Sequence, residues 1–142
     1  MGNTHNVQKV NFEDIQSAIK NPDKYILINT LPIHEQQCLL PNTISVEKEE
    51  VIINSFIRNK HVIGQKHIII YGKNNNDITI FNKYKQLVKL GFFSVFIYIG
   101  GMFEWLLLAD IYGNDLFPTT KCELDILKFK PSKGLGVQLL EY

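Results

Sequence analysis

Apolar and polar positions follow two rhythms along this chain. Tyr25-Ile-Leu-Ile28 and His67-Ile-Ile-Ile-Tyr71 are short, continuously apolar runs bounded by turn residues, the pattern of strands buried on both faces. Before and between them the apolar positions recur at helical spacing. Asn11 is placed to cap a helix, Asp14 falls at its third position beside the free amides, and Val10 with Ile15 makes a hydrophobic staple. Phe12, Ile15 and Ile19 then share one face, and Asn21-Pro22-Asp23 ends the helix. Thr43-Ile-Ser-Val46 predicts another short strand. Glu47 to Asn59 predicts a helix, with Glu49 and Glu50 in its first turn and Val51, Ile52, Ser55 and Phe56 facing inward. His61 to Gln65 reads as a loop.

After the His67–Tyr71 run comes a polar loop, Gly72 to Asp77. Ile78 to Leu90 then predicts a helix carrying Phe81, Tyr84, Leu87 and Val88 on one side, with Gly91 placed as its C-terminal cap. Val95 to Ile99 is the last clear strand, Gly100-Gly101 a turn, and Met102 to Ile111 the last clear helix. Strands and helices alternate at the spacing of crossover units. The expected fold class is therefore α/β: a single domain whose central sheet is largely parallel, with helices on both faces.

Composition narrows the function classes. The chain has 142 residues, 45% hydrophobic and 20% charged, enough for one globular domain with a real core. Its net charge is +1 and it carries no dense basic run, which argues against a dedicated nucleic-acid binder. Of its 15 cations only Arg58 is an arginine, so bidentate anion clamps are nearly absent. Cys38 and Cys122 fit neither a disulfide framework nor a zinc site, and each reads as a plain thiol; Lys121 gives Cys122 a slight push towards thiolate. No two of His5, His34, His61 and His67 have helical ligand spacing, so no metal or cofactor is expected.

Phe92 to Ala109 is long enough to cross a bilayer and carries one charge, Glu104. Gly100-Gly101 splits it into strand and helix patterns, so no transmembrane segment is expected and the chain reads as cytoplasmic. Glu104 itself reads as a helix-surface carboxylate, or as a contact to the adjacent loop or a partner. Gly2 is a candidate myristoylation site after loss of Met1, although Asn6 stands where the pattern wants Ser or Thr. A membrane-peripheral adaptor attached through Gly2 is thus one alternative.

Several segments, taken in order, resemble a rhodanese-like domain. Tyr25-Ile-Leu-Ile-Asn29 followed by Glu35 is similar to the family's strand, acidic residue and downstream glutamate. Leu39-Leu40-Pro41-Asn42-Thr43-Ile44 is similar to its proline-containing approach to the next strand. His67-Ile-Ile-Ile-Tyr71 resembles the strand that delivers the active-site loop. Gly91-Phe92, Val95, and Gly100-Gly101 with Trp105 resemble the end of the pattern, and Pro118 falls where a proline often follows the last helix. The resemblance spans about residues 8 to 118, leaving residues 1–7 as a polar tail and 119–142 as a C-terminal extension.

What the resemblance implies turns on one position. Active members carry a cysteine directly after the strand, where loop amides and a helix dipole stabilise a persulfide. Here that residue is Gly72, and the loop continues Lys73, Asn74, Asn75, Asn76, Asp77 without the family's arginines. Asn29 stands for the usual Asp and Leu31 for the usual Arg. The resemblance thus implies a pseudoenzyme that binds another protein through the degenerate loop or the extension. Weak anion binding by the loop amides survives as an option. The alternative is a sulfurtransferase, with thiosulfate or 3-mercaptopyruvate as donor, using Cys38 or Cys122 as a relocated nucleophile. In the extension, Glu123 to Lys130 alternates partly at period two, as a half-buried strand does. Leu135, Val137, Leu139, Leu140 and Tyr142 keep the end apolar, so the extension is expected to pack on its own domain or on a partner.

Overall fold

The computed structural model describes residues 7–135. Four strands, β1 (Gln8–Val10), β2 (Tyr25–Asn29), β3 (His67–Tyr71) and β4 (Val95–Tyr98), form one sheet in the order β1-β4-β3-β2. All three pairings are parallel. Five helices connect or flank them: α1 (Phe12–Lys20), α2 (Val46–Arg58), α3 (Lys60–Ile63), α4 (Thr79–Lys89) and α5 (Gly101–Tyr112). The fold class is the α/β arrangement expected from the sequence.

Strand alternation divides the core into two layers. Leu27, Ile69, Tyr71 and Tyr98 point to one face, where Ile15 and Ala18 of α1 and Met102, Trp105 and Leu106 of α5 cover them. Ile26, Ile28, Ile68, Ile70, Val95 and Ile97 point to the other, against Ile53 of α2 and Ile80 and Leu87 of α4. Both faces of the central strands are dry, so their sequences are apolar without interruption.

Helix α1 starts as its sequence predicts. The Asn11 side chain accepts from the amides of Glu13 (2.9 Å) and Asp14 (3.1 Å), while Asp14 Oδ2 accepts from the Asn11 amide (2.9 Å). That reciprocal box satisfies donors that the helix itself leaves free. Gly91 has φ +109°, and its amide donates to the Val88 carbonyl (3.0 Å), closing α4 as a glycine past a helix end does.

Other local expectations are corrected. Thr43 makes one isolated parallel bridge to Leu27, not a strand, because Ser45 already occupies the N-cap of α2. The inward stripe of α2 is Ile53, Phe56 and Ile57, whereas Val51 is 65% exposed. On α4 the buried pair is Ile80 and Leu87, and Val88 faces outward. Residues 60–63 are helical rather than loop. Residues 8–10 form a strand that three residues of mixed polarity do not announce; pairing with β4 creates it. Over its described residues, 119–135, the extension forms no strand; Val137, Leu139, Leu140 and Tyr142 lie outside them. Glu123 caps the Asp125 amide and pairs with Lys128 (2.5 Å), bending the chain into a short helical turn, Ile126–Phe129, that drives Phe129 into the core. Residues 92–109 divide between β4 and α5, and among the described residues no helix is long and apolar enough to cross a membrane.

Candidate functional site

The C-terminal ends of β2, β3 and β4 lie in register at Asn29, Tyr71 and Tyr98, and the loops that leave them converge. Ligands of open α/β sheets bind at this end of the strands. The loop Gly72–Asp77 follows β3 directly. Its backbone is held from one side by the start of α5: the Met102 amide donates to the Gly72 carbonyl (3.0 Å) and the Phe103 amide to the Lys73 carbonyl (2.9 Å). Gly101, at φ +64°, permits this approach, since a Cβ there would stand 2.7 Å from Gly72 O and 2.9 Å from the Asn74 nitrogen.

The loop's own side chains complete it. Asp77 Oδ2 accepts from the Lys73 amide (2.9 Å), and Oδ1 accepts from the Thr79 amide (3.0 Å) and the Thr79 hydroxyl. The Thr79 and Thr30 hydroxyls lie 2.8 Å apart, bringing the end of β2 into the same cluster. Gly72 is buried beneath it. A Cβ at Gly72 would fall 2.8 Å from Thr30 Oγ1, 2.9 Å from Ile80 Cγ2, and closer still to Asp77 Oδ2.

The loop's cation, Lys73, is paired within the chain. Lys73 Nζ lies 3.2 Å from Glu35 Oε1, and His34 Nε2 lies 3.4 Å from Glu35 Oε2. Asn74 is buried; its Oδ1 accepts from the Asn76 amide (2.9 Å) and its Nδ2 donates to the Phe129 carbonyl (2.8 Å). Asn75 and Asn76 are exposed. Asn29 is buried with Oδ1 accepting from the Leu31 amide (3.0 Å), and its Nδ2 has no partner among the described residues. Leu31, where the resemblance expects an arginine, is 4% exposed and packs in the core. Beside the loop opens a cleft of about 330 Å³, bounded by Thr30, Lys73, Asn76, Asp77, Lys130 and Ser132.

Two tyrosines brace the strand ends from below. The Leu40 amide donates to the Tyr71 hydroxyl (3.2 Å), which lies 2.7 Å from Thr43 Oγ1; Thr43 in turn donates to the Leu40 carbonyl (2.6 Å). Burial pushes the Tyr71 phenol far above the ordinary tyrosine range. Tyr98 donates to Glu104 Oε2 (2.5 Å), so Glu104 answers the adjacent strand end and holds the corner after β4. Burial first, then this hydrogen bond, raises the Tyr98 phenol in the same direction. Neither cysteine lines the cleft. The Cys38 thiol is buried and donates to the Lys121 carbonyl (3.2 Å), and desolvation raises its pKa. Cys122 is exposed. Gly2 lies outside the described residues.

Gly72 to Asp77, the stretch marked by the family resemblance, forms one loop at the site. Thr30, Thr79, Lys130 and Ser132 also line the cleft and carry no mark in that resemblance. Only Asp77-x-Thr79 at a helix start is a readable signal among these, an aspartate turning back onto the amide two residues on. The other three reach the site through strand pairing and the path of the extension.

A family model described as a rhodanese-like domain matches residues 10–108. The chain belongs to the rhodanese-like family. Its fold is also similar to that of a solved structure, the BH2092 protein from Bacillus halodurans, with a TM-score of 0.56 and 20% sequence identity, covering 73% of this chain and 74% of that one. At that identity the likeness concerns the fold. No curated protein matches the chain. In this rhodanese-like domain the family match stops at residue 108, whereas the core continues through Phe117 and Phe129.

Proposed function

We propose that this rhodanese-like domain performs no sulfur transfer and acts as a module that binds another protein. One observation carries the reading: the residue directly after β3, where the family resemblance places the nucleophile, is Gly72, with side chains of Thr30, Asp77 and Ile80 packed over its Cα. Glycine offers no atom to take a sulfane sulfur, and Cys38 and Cys122 stand apart from the cleft. The protein-binding half of the reading is supported by the lip of the cleft. Ile78 there is 70% exposed, and Ile33, next to Pro32 on the same lip, is 78% exposed. Bulky aliphatic residues beside a polar cleft are the composition of a contact surface.

The test is a sulfurtransferase assay with thiosulfate and with 3-mercaptopyruvate, recording intact mass after donor incubation. No turnover and no added sulfur are expected. Turnover with sulfur mapped to Cys38 or Cys122, abolished by replacing that residue, would overturn the reading. For the binding half, Ile33→Asp and Ile78→Asp should remove cross-links between the purified protein and its cellular partner while leaving thermal stability unchanged.

A further inference from the structure

Loss of a nucleophile leaves open what the rest of the loop does. Three observations bear on it. The Asp77 carboxylate lies where a side chain at position 72 would begin, closer to that Cβ position than either Thr30 or Ile80. It engages the amides of Lys73 (2.9 Å) and Thr79 (3.0 Å), one in the loop and one in the first turn of α4. The remaining cation of the loop, Lys73, has its ammonium 3.2 Å from Glu35. Both donors of Lys73, backbone and side chain, are therefore answered by carboxylates of this chain.

We propose that Asp77 is a second block, independent of Gly72: its carboxylate occupies the loop from within, holds it folded without any bound anion, and would block sulfur transfer even if the nucleophile were restored. This rests on reading residues 72–77 as the family's active-site loop. The physical basis is twofold. The carboxylate takes the volume a cysteine side chain needs, and its negative charge repels both an incoming anionic donor and the persulfide that would form. A hydrogen-bonded carboxylate also replaces the bound anion that would otherwise organise the amides.

The experiment compares the wild-type protein with Gly72→Cys, Gly72→Cys/Asp77→Ala and Gly72→Cys/Asp77→Asn, using thiosulfate as donor. In the reaction, the introduced thiolate attacks the outer sulfur of thiosulfate, and a new S–S bond forms. The thiosulfate S–S bond breaks, and sulfite leaves with its electron pair. No further oxidant or reductant is required. Sulfur uptake is followed by intact mass and mapped to the peptide containing position 72, with circular dichroism confirming that each variant is folded.

Uptake at position 72 should be at least about tenfold faster in the double variants than in Gly72→Cys alone. Asp77→Asn keeps the volume of the side chain while removing its charge, so a gain there reports the charge and any further gain in Asp77→Ala reports the volume. Equal rates in Gly72→Cys and Gly72→Cys/Asp77→Ala would overturn the proposal, as would no uptake by folded Gly72→Cys/Asp77→Ala. Sulfur on Cys38 or Cys122 in the wild-type protein would count against the proposed function, and leaves the comparison at position 72 intact.

Discussion

Asn74 donates from Nδ2 to the backbone carbonyl of Phe129 at 2.8 Å, tying the middle of the loop after β3 to a segment well beyond the end of the family match at residue 108. The same side chain accepts from the Asn76 amide through Oδ1 (2.9 Å), so one buried residue satisfies both its own loop and the extension. The loop and the extension as far as Phe129 are thus tied together.

Asn74→Ala should break that tie. It leaves the Asn76 amide and the Phe129 carbonyl without their partner, a loss of roughly 1–3 kcal/mol when such groups are kept from water. Urea denaturation reads the loss. Hydrogen exchange should show the amides of residues 73–79 opening faster, and unchanged exchange there would contradict the coupling.

Phe129→Ala tests whether the extension belongs to the core. Phe129 is 0% exposed and shares a cluster with Phe117, Trp105 and Leu40. Removing a buried phenylalanine ring costs roughly 3–5 kcal/mol. A melting temperature within a degree or so of wild type would mean that residues 119–130 dock only loosely on the domain.

Gly101→Ala should be costly for a different reason. The backbone at Gly101 is left-handed, at φ +64°, and the added methyl meets the Gly72 carbonyl oxygen at 2.7 Å. Strain and contact together predict a loss of roughly 2–4 kcal/mol. Gly134→Ala, with nothing within 4 Å of its Cβ among the described residues, is the control and should change stability by less than about 0.5 kcal/mol.

The buried phenols make stability fall at alkaline pH. Tyr71 and Tyr98 are both held above the ordinary tyrosine value of 10.0, chiefly by burial, so the unfolded chain ionises before the folded one. Their stabilising contribution is complete below that value and is lost as pH rises through it towards the folded values. Denaturation midpoints should therefore decline above about pH 10 in step with tyrosinate absorbance. Tyr98→Phe removes one of the two groups and should make that decline shallower.

The sulfur-transfer assay and the position 72 variants address different links in the chain from structure to function. The first asks whether any thiol of the natural protein reacts. The second asks what Asp77 does to a thiol placed where the loop begins. Negative results in the first and a rate gain in the second would together describe a loop that has changed from an anion cradle into a fixed piece of surface beside the cleft.

Local pattern alone determined much of this protein. The apolar runs at 25–28 and 67–71, the Asn11–Asp14 cap, the glycine after α4 and the polar loop at 72–77 are written in residues next to one another, and local hydrogen bonding or periodicity decodes them. Tertiary structure decided the rest. Gln8–Val10 becomes a strand only because β4 offers an edge, and Glu123–Lys130 becomes a turn that sinks Phe129 instead of a strand. The inward face of α2 also moves, to Ile53, Phe56 and Ile57, set by the helix start and the sheet beneath it. In the loop, sequence places Gly72 and Asp77 five positions apart; only folding lays the carboxylate over the glycine and brings Thr30 and Lys130 beside it. Such contacts join residues from different strand ends, and no short-range period encodes a distance that pairing register and burial must first create.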